Sequence, residues 1–222
     1  MEGPSHVIGC RLRPAAIALM LLVGLSGRAG GQEREAAPDP KPRWSAGDIA
    51  SFFGGAALGL AIHESGHVTT ALIFDADPRL KGVSFGPIPF FAITHDSVSP
   101  AREYTISAAG FWMQAASSEW ILTRRPHLRD QHAPVAKGIL AFHLAASAAY
   151  AFAAFAGVGP DERDTLSMAG ALRCQEGWVG PLVLAPAVFD AWRYRNPDAA
   201  WARWASRAAK IGLVIVVVRA AN

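Results

Sequence analysis

The sequence predicts an all-α polytopic membrane protein of about four to five membrane helices, with a short re-entrant or β-hairpin loop after the first of them. Three observations carry that expectation. Of the 222 residues, 51% are hydrophobic and only 18% charged, where a soluble domain carries about a quarter charged residues. The apolar residues gather in long runs, and the mean hydropathy is +0.20. Between the runs stand Pro, Gly and basic clusters, the punctuation of loops joining spans.

The elements follow in order. Arg11 and Arg13, the apolar run Ala15–Leu25 and the small residues ending at Gly31 have the layout of a signal peptide or signal anchor over residues 1–31. Residues 32–45 form a Pro-rich linker, at whose end Trp44 marks a membrane interface and Ser45 a helix cap. Residues 46–222 are expected to form a single membrane-embedded domain. Its first helix spans about Ala46–Phe74 and breaks at Asp75-Ala-Asp-Pro78. From Arg79 to Pro100, Gly86, Pro87 and Pro89 interrupt an apolar stretch, which suits short strands or a re-entrant loop lining a cavity.

A second helix over Glu103–Thr123 carries the small patch Ser107-Ala-Ala-Gly110, which lets helices approach closely. A third runs from Gly138 to Val158 and breaks at Gly157-Val-Gly-Pro160. A shorter, more polar helix covers Thr165–Arg173. A fourth span over Trp178–Trp192 is interrupted by Pro181 and Pro186, and a basic amphipathic stretch Arg193–Arg207 and a short apolar run Ala208–Val218 close the chain. No internal repeat is present.

The net charge of +3 comes from Arg-rich loops rather than a basic-aromatic stripe, so lipid headgroups and not nucleic acid are the expected partners. The basic segments Arg124–Lys137 and Arg193–Arg207 are expected in the cytoplasm, which starts the first membrane helix there. A signal at the N-terminus would place residues 32–43 outside, and the two expectations conflict. Cys10 and Cys174 have no metal-ligand spacing.

Inside the first apolar helix lies His63-Glu-Ser-Gly-His67. Residues four apart share a helix face, so the two imidazoles can hold one zinc ion, with Glu64 beside them to take a proton from water. Ionisable groups at membrane depth are costly and point to function, here to hydrolysis within the bilayer. A hydrolytic zinc site takes three protein ligands and one open position. Asp164, Asp161, His143 and Glu119 are the candidates for the third. Asp164 opens a helix after a Gly-Pro break, where terminal amides favour an ionised carboxylate.

His63-Glu-Ser-Gly-His67, set in a long membrane helix with Gly66 before the second His, resembles the site-2 protease family of intramembrane zinc metalloproteases. Ala109-Gly110 followed by Gln114 resembles that family's Gly-Pro-x-x-Asn helix. The resemblance implies His63 and His67 as metal ligands, Glu64 as the catalytic base, an Asp from a later helix, in the place of Asp164, as third ligand, and Zn2+ as cofactor. No Leu-Asp-Gly motif surrounds Asp164.

The expected function is a zinc-dependent endopeptidase that cleaves membrane-spanning protein segments, as an integral protein of a bacterial inner (plasma) membrane. The alternative is a non-catalytic polytopic membrane protein, a scaffold or zinc-binding sensor, that keeps the His pair. A third ligand facing a cavity with an open coordination position separates the two.

Overall fold

The computed structural model describes residues 44–85 and 87–220. The expected signal segment over 1–31 and the linker up to residue 43 lie outside the described residues. Within them are six α-helices, one 3-10 turn and one two-stranded sheet. The order is α1 (Ala46–Ile73), β1 (Arg79–Phe85), β2 (Ile88–Thr94), α2 (Pro100–Arg124) and α3 (Pro134–Ala156). It continues with α4 (Asp164–Leu172), the turn Glu176–Trp178, α5 (Gly180–Arg195) and α6 (Ala200–Ala220).

Local chemistry sets the boundaries. Ser45 Oγ accepts from the Asp48 amide at 3.1 Å, and the Asp48 carboxylate accepts from the Ser45 amide at 2.8 Å. That reciprocal pair starts α1 by satisfying two otherwise orphaned donors. Beyond its end, Asp75 and Asp77 take positive φ values of 54° and 45°, which short polar side chains tolerate better than most. Pro stands in the first turn of α2, α3 and α5, where no intrahelical donor is needed. α3 ends on Gly157 in the left-handed region.

α1 packs against both α2 and α3. Glycines set both contacts. A Cβ on Gly66 would lie 2.5 Å from the Ala109 carbonyl oxygen of α2. A Cβ on Gly138 of α3 would collide with the Phe52 carbonyl of α1, and one on Gly55 with the Val135 carbonyl. The backbones therefore meet at a distance that only hydrogen side chains permit. Behind them, Tyr104 and Phe111 of α2, Ala151 of α3, Met168 of α4, Val183 of α5 and Leu213 of α6 form the main buried cluster.

α1 and α3 are long and apolar enough to cross a membrane, and only 17% and 28% of their most apolar windows is buried. Neither is enclosed as the core helix of a soluble protein would be. The stretch after α1 is the expected hairpin: β1 and β2 pair antiparallel from Arg79 opposite Thr94 to Phe85 opposite Ile88.

The C-terminal third differs from the expected division. Pro186, expected to interrupt the span, lies inside α5 without breaking it, and the helix continues to Arg195. The break falls at Asn196-Pro197 instead, since a residue before Pro is driven out of the helical region. No breaker follows Ala200, so the basic stretch and the terminal apolar run form one helix, α6.

Gly138→Ala is expected to lower the thermal unfolding midpoint of the detergent-solubilised protein, at an overpacking cost of roughly 1–3 kcal/mol. Gly54→Ala, whose added methyl meets nothing within 4 Å, is expected to leave the midpoint unchanged or raise it. Equal midpoints for the two variants would show that the α1–α3 contact does not depend on glycine.

Candidate metal centre

The helical repeat of α1 brings His63 and His67 to one buried face, and their Nε2 atoms lie 3.0 Å apart. Asp164, the first residue of α4 and 101 positions from His63, completes a triangle. Its Oδ2 is 3.2 Å from His63 Nε2 and 3.4 Å from His67 Nε2. Among the described residues, this is the group of three whose donor atoms all fall within 4.8 Å of one another and could hold a metal ion.

The donor set fits a tetrahedral metal. Bonds of about 2.0–2.2 Å at tetrahedral angles separate ligand atoms by roughly 3.3–3.5 Å, close to the observed edges. Two imidazole nitrogens facing a carboxylate at this distance could hold a metal ion between them. His67 Nδ1 donates to the Ile106 carbonyl of α2 at 2.8 Å, which leaves the Nε2 lone pair aimed at the centre.

Helix packing holds each part in place. Gly110 of α2 lies directly on the pair, since a Cβ there would come within 2.5 Å of both His63 Cε1 and His67 Nε2. Tyr150 of α3 stacks on the His63 ring, with centroids 5.9 Å apart, and interacts with the Asp164 carboxylate. Phe111 meets His63 edge-on at 5.3 Å. The loop before α4 is fixed by Arg163, which donates to both Glu176 oxygens at 2.8 and 2.6 Å and to the Pro160 carbonyl at 2.9 Å. Thr165 Oγ1 donates to the same Glu176 at 2.6 Å. Asp164 thus stands between two residues clamped to one carboxylate.

The centre opens into a cavity of about 420 Å³ that Glu64 also lines. Its walls are mostly apolar: Val83 of β1, Phe90, Phe91 and Ile93 of β2, and Phe142 and Phe152 of α3. Lys81 Nζ donates to Glu162 at 2.5 Å and ties the hairpin to the loop carrying Asp164.

The other candidate ligands lie elsewhere. Asp161 is exposed on the turn before α4. His143 is buried beside Asp190, with Nε2 3.3 Å from Oδ2 but off the line of a hydrogen bond. Glu119 is held by Arg193, Arg207 and Lys210 at 2.8, 2.9 and 3.0 Å. Sequence reasoning missed the roles of Tyr150 and Glu176, because neither shares a local spacing with the His pair. The small patch at Gly110 was the one signal pointing to close packing here.

No protein-family model matches the chain, and no curated protein or solved structure matches it. The resemblance to site-2 proteases therefore rests on the chain's own residues.

Asp164→Ala is expected to strip most of the bound metal from the purified protein, measured by elemental analysis, whereas Asp161→Ala keeps it near the wild-type level. Gly110→Ala is expected to reduce metal content as well, because the methyl displaces both imidazoles. Full metal retention by Asp164→Ala would remove it from the ligand set.

Proposed function

We propose that the chain is an intramembrane zinc-dependent endopeptidase of an inner (plasma) membrane, hydrolysing peptide bonds in membrane-spanning protein segments. One observation carries the reading. Three convergent metal-ligand side chains and an adjacent carboxylate open on an apolar cavity, and two of the ligands lie in a helix long enough to span a bilayer. Ionisable groups set in such a helix are costly in lipid, which is why they point to a function at membrane depth.

Two imidazoles and one carboxylate are a donor set suited to zinc. When bound, zinc supplies Lewis acidity that polarises a carbonyl and makes water more acidic. Glu64 takes the proton from the attacking water and delivers it to the amine as the C–N bond breaks. His63, His67 and Asp164 would hold the ion, and three protein ligands are the number that a hydrolytic zinc site combines with a bound water. Tyr150 keeps the His63 ring and the Asp164 carboxylate in register.

A helical substrate hides its carbonyls in its own hydrogen bonds, so it must unwind to react. The hairpin supports this step. β2 pairs with β1 on one edge, its other edge has no strand partner among the described residues, and its side chains line the cavity. An unwound segment can add there as a third strand. In this reading α2, α5 and α6 join α1 and α3 in the bilayer, and α4 brings Asp164 to the cavity from an end.

Glu64→Gln is expected to retain zinc while losing cleavage of a reconstituted membrane substrate by roughly 10²–10⁴-fold, and His63→Ala to lose both. A zinc-loaded Glu64→Gln that cleaves like wild type refutes the assignment and leaves a non-catalytic metal-binding protein.

The basic loop between α2 and α3 is expected in the cytoplasm. Cysteines placed there should stay unlabelled by an impermeant thiol reagent on intact cells. Ready labelling would reverse the orientation.

A further inference from the structure

α2 and α6 run in opposite directions, so residues late in α2 meet residues early in α6. Tyr104 Oη donates to the Leu213 carbonyl at 3.3 Å, and further along α2 Glu119 meets Lys210 and Arg207. Between the two helices lies a surface cleft of about 480 Å³. Glu119, Arg207 and Lys210 form one end of it. The rest is apolar, with Trp112 and Ala116 on α2 and Ile211, Val214 and Ile215 on α6. Each of these three α6 residues is at least 48% exposed.

The polarity of the cleft therefore changes along the helix axes rather than around them. From Arg207 to Ile215 it covers about 12 Å, eight residues of helix. A molecule with a charged head and a hydrocarbon tail has the same arrangement.

Charge at the polar end is not balanced. Arg193, Arg207 and Lys210 face Glu119, and Lys210 also pairs with Asp190. Three cations against two carboxylates leave one positive charge in excess, without counting His143 beside Asp190. Arg193 and Lys210 are buried in this network, whereas the Arg207 side chain is 39% exposed. Arg207 gives Glu119 its Nε at 2.9 Å, and its two terminal amino groups have no protein acceptor among the described residues. Arg203 stands one turn earlier on α6, and Arg124 closes α2 at the same end. Trp204, whose ring lies 5.8 Å from the Arg207 guanidinium, and Trp120 beside Glu119 are both exposed there. Tryptophan gathers at the headgroup level of a bilayer.

We propose that this cleft binds one anionic phospholipid, its phosphate on Arg207 and one acyl chain laid along Ile211, Val214 and Ile215. The inference rests on the membrane placement proposed above and not on the protease chemistry. Basic pockets between membrane helices take anionic headgroups in this way. The excess charge selects the headgroup, because the ammonium of a zwitterionic lipid would meet the same arginines. A second copy of the chain fits less well, since a two-fold contact would set one positive cleft against another. The basic end also lies on the side expected in the cytoplasm, where anionic lipids concentrate.

The test titrates the full chain in detergent with phosphatidylglycerol or phosphatidylcholine and counts bound lipid by native mass spectrometry. Wild type is expected to retain one phosphatidylglycerol per chain at a concentration where phosphatidylcholine leaves it bare. Arg207→Gln should weaken phosphatidylglycerol binding by roughly fivefold, the contribution of one arginine near an anionic lipid surface. Ala116→Phe fills the apolar length of the cleft from an exposed position. It should abolish retention in a protein whose lipid-free unfolding midpoint matches wild type.

Equal retention of the two lipids by wild type would overturn the proposal, and needs no variant to fold. Phosphatidylglycerol binding that neither substitution weakens would overturn it too. So would a dimer in lipid-free detergent that Ala116→Phe dissociates, because the cleft would then join two copies. A chain that stays in solution without detergent removes the membrane reading and this inference together. One that needs detergent but shows no headgroup preference removes this inference alone.

Discussion

The contact-distance packing of α1 between α2 and α3 is the constraint on which the rest depends. Gly66 admits the Ala109 carbonyl, and Gly110 admits the two imidazoles. With side chains at those two positions, α2 would stand off from α1. Ile106 would then no longer hold His67, and Phe111 would not reach His63. On the opposite face, Gly55 and Gly138 draw α3 in, which places Tyr150 against the His63 ring. In the membrane setting proposed above, little hydrophobic driving force would separate one helix arrangement from another, so shape at small residues would select the arrangement.

Given that frame, the site becomes a problem of delivering one carboxylate to two imidazoles. α1 supplies the histidines by its own periodicity, while Asp164 must arrive from a separate helix across a loop. The loop is held by Arg163, which spans Gly159, Pro160 and Glu176. Thr165 converges on the same Glu176 from the other side of Asp164. A bidentate guanidinium–carboxylate pair fixes direction as well as distance. The position of Asp164 therefore follows from a rigid surrounding shell rather than from attraction to the histidines alone.

Charge is distributed unevenly in this fold. The cavity wall is nearly all apolar apart from the site itself, whereas Asp190 and Glu119 gather His143, Arg193, Arg207 and Lys210 at the far side of the bundle. Breaking one member of such a buried network leaves an uncompensated charge. The network thereby ties α2, α3, α5 and α6 together where the apolar cluster does not reach. One side of the molecule suits an apolar segment, and the other is tied together by ion pairs.

The local features were legible in the sequence because they follow from short-range rules. Four-residue spacing put His63 and His67 on one face, Asp75 to Pro78 ended α1, Gly157 ended α3, and the Pro-rich segment after α1 became a hairpin. The preference for Asp164 over Asp161 came from its place at a helix start, and the structure puts Asp164, not Asp161, beside the imidazoles. What the sequence by itself determined, then, was the helical class, the paired histidines with their carboxylate neighbour, and a short set of candidates for the third ligand.

The tertiary structure alone decided which candidate reaches the pair, that Tyr150 and Gly110 close the site, and that Glu119 serves an ion network instead. It also merged the last two expected segments into α6. The physical reason is range. Helix periodicity and turn chemistry act over a few residues, whereas the meeting of His63 with a carboxylate 101 positions away depends on how glycine-lined helices settle against one another.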